Sequence, residues 1–460
     1  MHPLLPASLA LALAAPSFAM ADTPSDIQAL RQEIEAIRAA YEARLQALEQ
    51  RLKAAEANTA TASAAAAPPV SSAQPPAPAA AAAGGGSNAF NPAMSLILSG
   101  LYTRTSQNPA NWTITGFQLP AEAEIGPGER GFSLAETELD FSANIDPWLR
   151  GAANIALAPE GGADVEEAYI QTTALDYGLS VKAGRFFSGI GYLNPQHGHT
   201  WDFVDSPLAY QALLGGQHGD DGLRLTWLAP TDQYFELGAE VGRGRSFPGG
   251  GFEGNGAGMW ALTAHAGGDF GDSHSWRAGV SVLKTKAVDQ GLVAVDANGA
   301  TVNNAFSGNS RVWVADAVWK WAPDGNATRT NFKLQAEYLR STRDGSLVYD
   351  LDGAASEGAY RATQSGWYLQ GIYQFMPHWR VGLRTEQLDA GSPDYGANAA
   401  FFAATGYQPR KNALMLDYSP SEFSRVRLQF GQDRSRAGVT DNQIYLQYQM
   451  SLGAHGAHSF

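Results

Sequence analysis

The chain has 460 residues, a net charge of -14 and a charged fraction of only 17%, with 50 glycines, 10% aromatic residues and no cysteine. The missing cysteines exclude a disulfide framework and thiolate metal sites, and the acidic balance provides no basic surface for nucleic acid. Sparse charge together with abundant glycine and aromatics favours strands and turns.

The first element is an apolar run, Leu4 to Ala15, followed by Ala19-Met20-Ala21, a small-x-small site ahead of Asp22. This is the pattern of a secretory signal peptide over 1–21, although His2 stands where Lys or Arg is usual. Beyond it, no stretch reaches the roughly 18 consecutive apolar residues of a spanning helix. A membrane-embedded mature chain would therefore be a closed barrel, because only helices and barrels satisfy every backbone group in lipid.

From 22 to 58 the apolar residues Ile27, Leu30, Ile34, Ile37, Tyr41, Leu45, Leu48 and Leu52 recur at helical spacing, with a stutter between Tyr41 and Leu45. Early β-branched residues on this seam favour three strands, so a short parallel trimeric coiled coil is expected in the periplasm. The other reading is a lone amphipathic helix lying on another surface. Segment 59–90 is mostly Ala, Pro, Gly and Ser, the composition of a semi-extended tether without a core.

Residues 91–460 read as an all-β transmembrane antiparallel barrel of about 16 strands. Alternating segments bounded by turn residues fall near 94–104, 133–146, 148–158, 164–173, 178–186, 221–229, 233–243, 257–270, 273–285, 310–322, 329–341, 364–376, 378–388, 410–418, 422–434 and 440–460. The connections alternate between short turns such as Asp146-Pro147, Gly271-Asp272 and Met376-Pro377 and longer loops, notably 187–219, 286–309, 342–363 and 389–409, as short periplasmic turns and long extracellular loops would. Trp148, Phe235, Phe270, Trp276, Trp321, Phe332, Phe375, Trp379, Tyr418 and Phe423 cluster beside the short turns and would form an interfacial girdle. The last segment places Ile444, Leu446, Tyr448, Met450 and Leu452 on one face, Gln443, Tyr445, Gln447, Gln449 and Ser451 on the other, and the chain ends on Phe460.

Apolar parity gives the outward face; the opposite parity gives a hydrated lumen. Its pore-lining candidates are Glu136, Glu138, Asp140, Arg150, Lys182, Arg224, Lys333, Arg380, Arg384, Arg425 and Arg427. The four arginines on two strands face the acidic group at 136–140, which would give either a transverse field or mutual ion pairs. Loop 187–219 is long and internally patterned, suited to folding inward as a constriction. In it, His197-Gly198-His199 and the nearby His218 are candidate ligands for zinc. No other cofactor is expected.

The strand count, the long third loop, Glu166-Glu167-Ala168-Tyr169-Ile170 leading to Val181-Lys182-Ala183-Gly184-Arg185-Phe186, and the terminal Phe resemble the phosphate-selective porin O and P type of outer-membrane channel. The resemblance implies a homotrimeric channel in outer-membrane lipid, although lumen arginines do not form a ladder on successive strands. Asn194-Pro195-Gln196-His197-Gly198-His199-Thr200-Trp201-Asp202-Phe203-Val204-Asp205 is also similar to porin-like chains labelled zinc-regulated or TonB-dependent receptors.

The function expected is diffusion of small polar or ionic solutes across the bacterial outer membrane, with the coiled coil in the periplasm in reach of the cell wall. The alternatives are substrate-specific uptake of a metal or an anion and a coiled-coil-bearing protein secretion channel. No Gly-x-Ser-x-Gly elbow or other catalytic set stands out, so an enzyme is not expected. Mass spectrometry of the exported protein should find Asp22 as its first residue; a retained 1–21 segment would refute the signal-peptide reading.

Overall fold

Alternation with a period of two puts one face of each strand in contact with apolar surroundings and the other with the interior, and the strands here continue that pattern until the sheet meets itself. The structure, a computed structural model, describes residues 92–121, 123–135, 137–157, 161–403 and 406–453. The signal peptide, coiled coil, tether and Phe460 lie outside these residues.

The strands are β1 (Ala93–Thr105), β2 (Leu119–Pro120), β3 (Gly131–Leu134), β4 (Thr137–Asn144), β5 (Leu149–Leu157), β6 (Ala163–Thr172), β7 (Leu179–Phe187), β8 (Gly219–Leu228) and β9 (Tyr234–Gly242). They continue with β10 (Met259–Phe270), β11 (His274–Val295), β12 (Thr301–Trp321), β13 (Asn331–Tyr349), β14 (Ser356–Met376), β15 (Trp379–Asp389), β16 (Arg410–Ser421), β17 (Ser424–Arg434) and β18 (Asp441–Gly453). β3 and β4 both pair with β1 and act as one interrupted wall strand, while the two-residue β2 pairs only onto β11. The wall is therefore a 16-stranded antiparallel barrel. It closes where β1 pairs with β18 from Ser95↔Gly453 to Thr105↔Gln443 while its other edge pairs with β3 and β4.

Every expected segment corresponds to one wall strand. The short turns fall where they were expected, at 145–148, 173–178, 229–233, 271–273, 322–330, 377–378 and 422–423. Two long loops do not survive as loops: β11 to β14 run on as two tall hairpins, and 286–309 and 342–363 shrink to connections at 296–300 and 350–355. The alternation lapses there because residues such as Asn303, Asn304, Asp344 and Arg361 put polar groups on both faces, while the backbone ladder continues unbroken through Phe306↔Leu347 and Asp344↔Arg361.

Large apolar side chains encircle the outside, among them Leu98, Leu225, Leu262, Val280, Leu383, Leu414, Phe430 and Leu446. Trp148, Phe270, Phe375, Tyr418 and Phe423 are exposed at the short-turn rim, and Trp260, Trp313, Tyr338 and Trp367 are exposed higher on the wall. Trp313 and Trp321, like Trp367 and Phe375, stand about eight residues apart on one strand, on the order of 26 Å along it. Tilted by about 40° this is roughly 20 Å of height, close to the apolar band of outer-membrane barrels.

The interior is not uniformly polar, which corrects the parity reading. A helix, α1 (Leu208–Leu214), lies buried inside the barrel, and Leu208, Tyr210, Leu213 and Leu214 pack with the inward-facing Met259, Leu283, Val312, Val314 and Leu339 and with Ile114, Phe117 and Leu119 of the first long loop. Strands such as β12 carry apolar residues of both parities around Val312-Trp313-Val314, one set for the exterior and one for this inner cluster. Replacing the exposed Leu383 on β15 by Arg should destabilise the vesicle-inserted barrel by about 2–4 kcal/mol in denaturant titration. An unchanged unfolding midpoint would place that face in water.

Candidate functional site

The segment 188–218 leaves β7, enters the barrel and returns to β8, and its path is fixed by wall side chains from nearly every quarter. Glu240 on β9 accepts from Ser188 Oγ at 2.6 Å and the Gly189 amide at 2.8 Å. Glu337 on β13 accepts from the amides of Tyr192 at 3.1 Å and Leu193 at 3.0 Å, and from the hydroxyls of Tyr210 at 2.8 Å and Tyr368 at 2.5 Å. Glu386 on β15 accepts from the Leu208 amide, the first of α1, at 2.5 Å. Amides that a loop would otherwise leave unsatisfied inside the protein thus receive buried carboxylates.

The arginines expected to line a pore mostly clasp this loop. Arg384 lies 3.0 Å from both Asp205 and Glu386 and over the Phe203 ring, and Lys411 reaches Asp205 at 2.6 Å. Arg380 grips Asp417 with two hydrogen bonds and Asp202 at 3.1 Å, and Lys333 also pairs with Asp202. Arg427 donates to the Trp201 carbonyl at 2.8 Å, and Arg425 donates to the His199 carbonyl and to Gln449 Oε1, each at 2.7 Å. Of the two outcomes open in the sequence, ion pairing therefore holds for Arg380, Arg384 and Arg427. Burial opposes charge on Asp202 and Asp205, yet Lys333 and Arg380 beside the first, and Arg384 and Lys411 beside the second, hold both carboxyls well below the usual range.

Beneath the loop, on the side of the short turns, lies a cavity of about 1170 Å³. Asp140, Arg150, Lys182, Arg224, Lys333, Arg380 and Arg425 line it from the wall, with Glu167, Lys320 and Glu422, and His197, His199 and Asp202 line it from the loop. Lys182 sits over the Tyr169 ring at 3.9 Å, Arg150 donates to Ser142 at 3.1 Å, and Arg224 lies 3.6 Å from Glu240 and 3.7 Å from Glu236. Glu136 lies outside the described residues.

His197 and His199 are brought together on a 3₁₀ turn, Gly198–Thr200, rather than on the extended segment expected; their rings stack at 5.7 Å. Both reach the buried Glu138 on β4, His199 Nδ1 at 2.7 Å and His197 Nδ1 at 3.3 Å, and Asp140 and Glu138 both accept from Asn154. His197 also meets Glu166 at 3.3 Å and Glu167 at 3.1 Å. Burial would lower the His197 pKa, but these three carboxylates hold it well above its ordinary value.

His218 does not join the pair. Its Nδ1 meets the Phe247 carbonyl at 2.9 Å in another part of the interior, where burial pushes its pKa down. Strand parity assigns only Glu167 to the interior and passes over Glu166. The register moves from Asn154↔Glu167 to Ile155↔Val165, so Glu166 is the extra residue of a bulge and turns inward beside its neighbour.

A 16-stranded antiparallel barrel with an inserted third loop and a charged cavity defines the class. The chain belongs to the same family as an uncharacterized protein of Aquifex aeolicus (strain VF5), with which it shares 30% identity over 409 residues, 81% of this chain and 80% of that protein. No family model matches the chain, the phosphate-selective porins O and P included. Among solved structures it is similar to OmpT of Vibrio cholerae (12% identity, 78% of this chain and 96% of that one, TM-score 0.46) and to the outer-membrane channel DcaP of Acinetobacter baumannii (12%, 78% and 96%, 0.45). It is also similar to an anion-selective porin from Comamonas acidovorans (11%, 79% and 99%, 0.44).

Asp205→Ala leaves the buried Arg384 and Lys411 without their shared carboxylate, at a cost of about 3–5 kcal/mol. Limited proteolysis of the folded variant should cut within 188–218 much faster than in the parent, and equal rates would refute the clasp. Because the folded pKa of Asp205 is depressed, its stabilisation is full above the ordinary aspartate pKa and is lost only as pH falls through the lower folded value. Exposure to pH 5 should therefore leave the loop protected.

Proposed function

We propose that the protein is a porin-like channel of the bacterial outer membrane through which small polar or ionic solutes diffuse, with its passage narrowed by loop 188–218. The observation that carries this reading is the water-sized, charge-lined cavity under the inserted loop, inside a barrel whose outside is apolar. An aqueous interior and a hydrocarbon-compatible exterior are the two conditions for moving polar solutes across lipid.

Wall and loop charges around the cavity favour anions. Arg150, Lys182, Arg224, Lys320, Lys333, Arg380 and Arg425 face it against Asp140, Glu167, Asp202 and Glu422, and Asp202 is already taken up by Lys333 and Arg380. A surplus of one sign in a low-dielectric passage raises the local concentration of the opposite ion. The chemistry suits small anions in general; phosphate is one member of the class.

A homotrimer fits both the expected three-stranded seam of the coiled coil and the channel reading. The secretion reading remains the second candidate because of the coiled coil and tether. Planar-bilayer recording separates them. The full chain should give stepwise ohmic conductance with a reversal potential on the chloride side in a KCl gradient, and deletion of 22–86 should leave the conductance unchanged. A barrel that inserts and does not conduct, or that conducts only K⁺, would overturn this reading.

A further inference from the structure

The cluster around His197 has a geometry that hydrogen bonding alone explains poorly. His197 Nδ1 lies 3.3 Å from one oxygen of Glu138 and 3.3 Å from one oxygen of Glu166, both long for an imidazole bond to a carboxylate, which usually closes to about 2.8 Å. The three donor atoms lie within 4.8 Å of one another. A tetrahedral ion with ligands at about 2.0–2.1 Å separates its donors by roughly 3.3 Å, so the spacing matches a shared ion better than a shared proton.

We propose that Glu138, Glu166 and His197 form a binding site for one divalent transition-metal cation of the zinc class. The imidazole selects such ions over Mg²⁺ and Ca²⁺, which prefer oxygen donors throughout. Glu138 is fully buried, whereas His197 and Glu166 keep partial access to the cavity, which leaves room for a water as a further ligand.

The surroundings are those of a supported metal site. Glu167 meets the opposite nitrogen, His197 Nε2, at 3.1 Å, where it accepts the N–H and leaves Nδ1 as the ligand atom; the Phe187 amide fixes Glu167 in turn at 3.0 Å. His199 holds the other oxygen of Glu138 at 2.7 Å, and Asn154 donates to the ligating side of that carboxylate. The bulge that turns Glu166 inward beside Glu167 supplies one ligand and one supporting carboxylate from consecutive residues. An ion here would tie the inserted loop to β4 and β6 at once. The site rests on donor geometry and not on the channel reading, so binding and conductance fail independently.

The test is calorimetric titration of Zn²⁺ into the full-length mature protein, folded in detergent and made without a polyhistidine tag. One saturable site per chain is expected. His197→Ala and Glu166→Gln should each weaken binding at least tenfold, Glu167→Gln should weaken it about 10- to 100-fold, and His218→Gln should leave it unchanged. Migration on unboiled gels verifies that each barrel is folded, and Co²⁺ absorption gives a second readout, its ligand-field bands disappearing in His197→Ala. The proposal is overturned if the folded parent shows no saturable Zn²⁺ binding, if equimolar Mg²⁺ displaces Zn²⁺, or if affinity survives in His197→Ala and is lost instead in a variant lacking His455 and His458.

Discussion

The structure depends on closure of the sheet. Sixteen strands can expose an apolar exterior to a medium without hydrogen-bond donors only if no edge is left unpaired. β1 supplies that condition by pairing with β18 on one side and with β3 and β4 on the other. Closure then fixes the rest: outward parity becomes the apolar girdle and inward parity becomes the lumen. Any segment that enters the lumen must be satisfied by wall side chains.

The inserted loop is the largest consequence. Glu240, Glu337 and Glu386 serve its amides, and Arg384, Lys411, Arg380 and Lys333 neutralise its aspartates, so many charges that look like pore lining in one dimension are structural ties in three. What remains facing the cavity is smaller and more basic than the strand sequences imply. Buried pairs of this kind contribute little net stability relative to apolar substitutes, but loss of one member is costly. They hold the loop in one position.

The wall was legible because a barrel strand declares itself by period two and by turn residues, and Gly271-Asp272 or Met376-Pro377 can hardly be read otherwise. Legibility ended where one strand serves two apolar environments. Around Val312-Trp313-Val314 parity cannot separate exterior from interior, and only the placement of α1 decides. It ended again at Glu166, because a bulge breaks the alternation on which facing is inferred, and at His218, because proximity in sequence to His197 and His199 said nothing of the turn that separates them. The apolar spacing of Leu208, Leu213 and Leu214 was the one available sign that the third loop carries a buried helix.

The barrel's central claim can be tested on the natural chain, which has no cysteine. Single cysteines placed in turn along β18 from Ile444 to Leu452, in protein inserted into lipid vesicles, can be probed with a water-soluble maleimide and a membrane-confined one. The account predicts strict alternation, with 444, 446, 448, 450 and 452 labelled only from the lipid and the intervening positions never labelled from it. Uniform aqueous labelling, or lipid labelling at both parities, would contradict it.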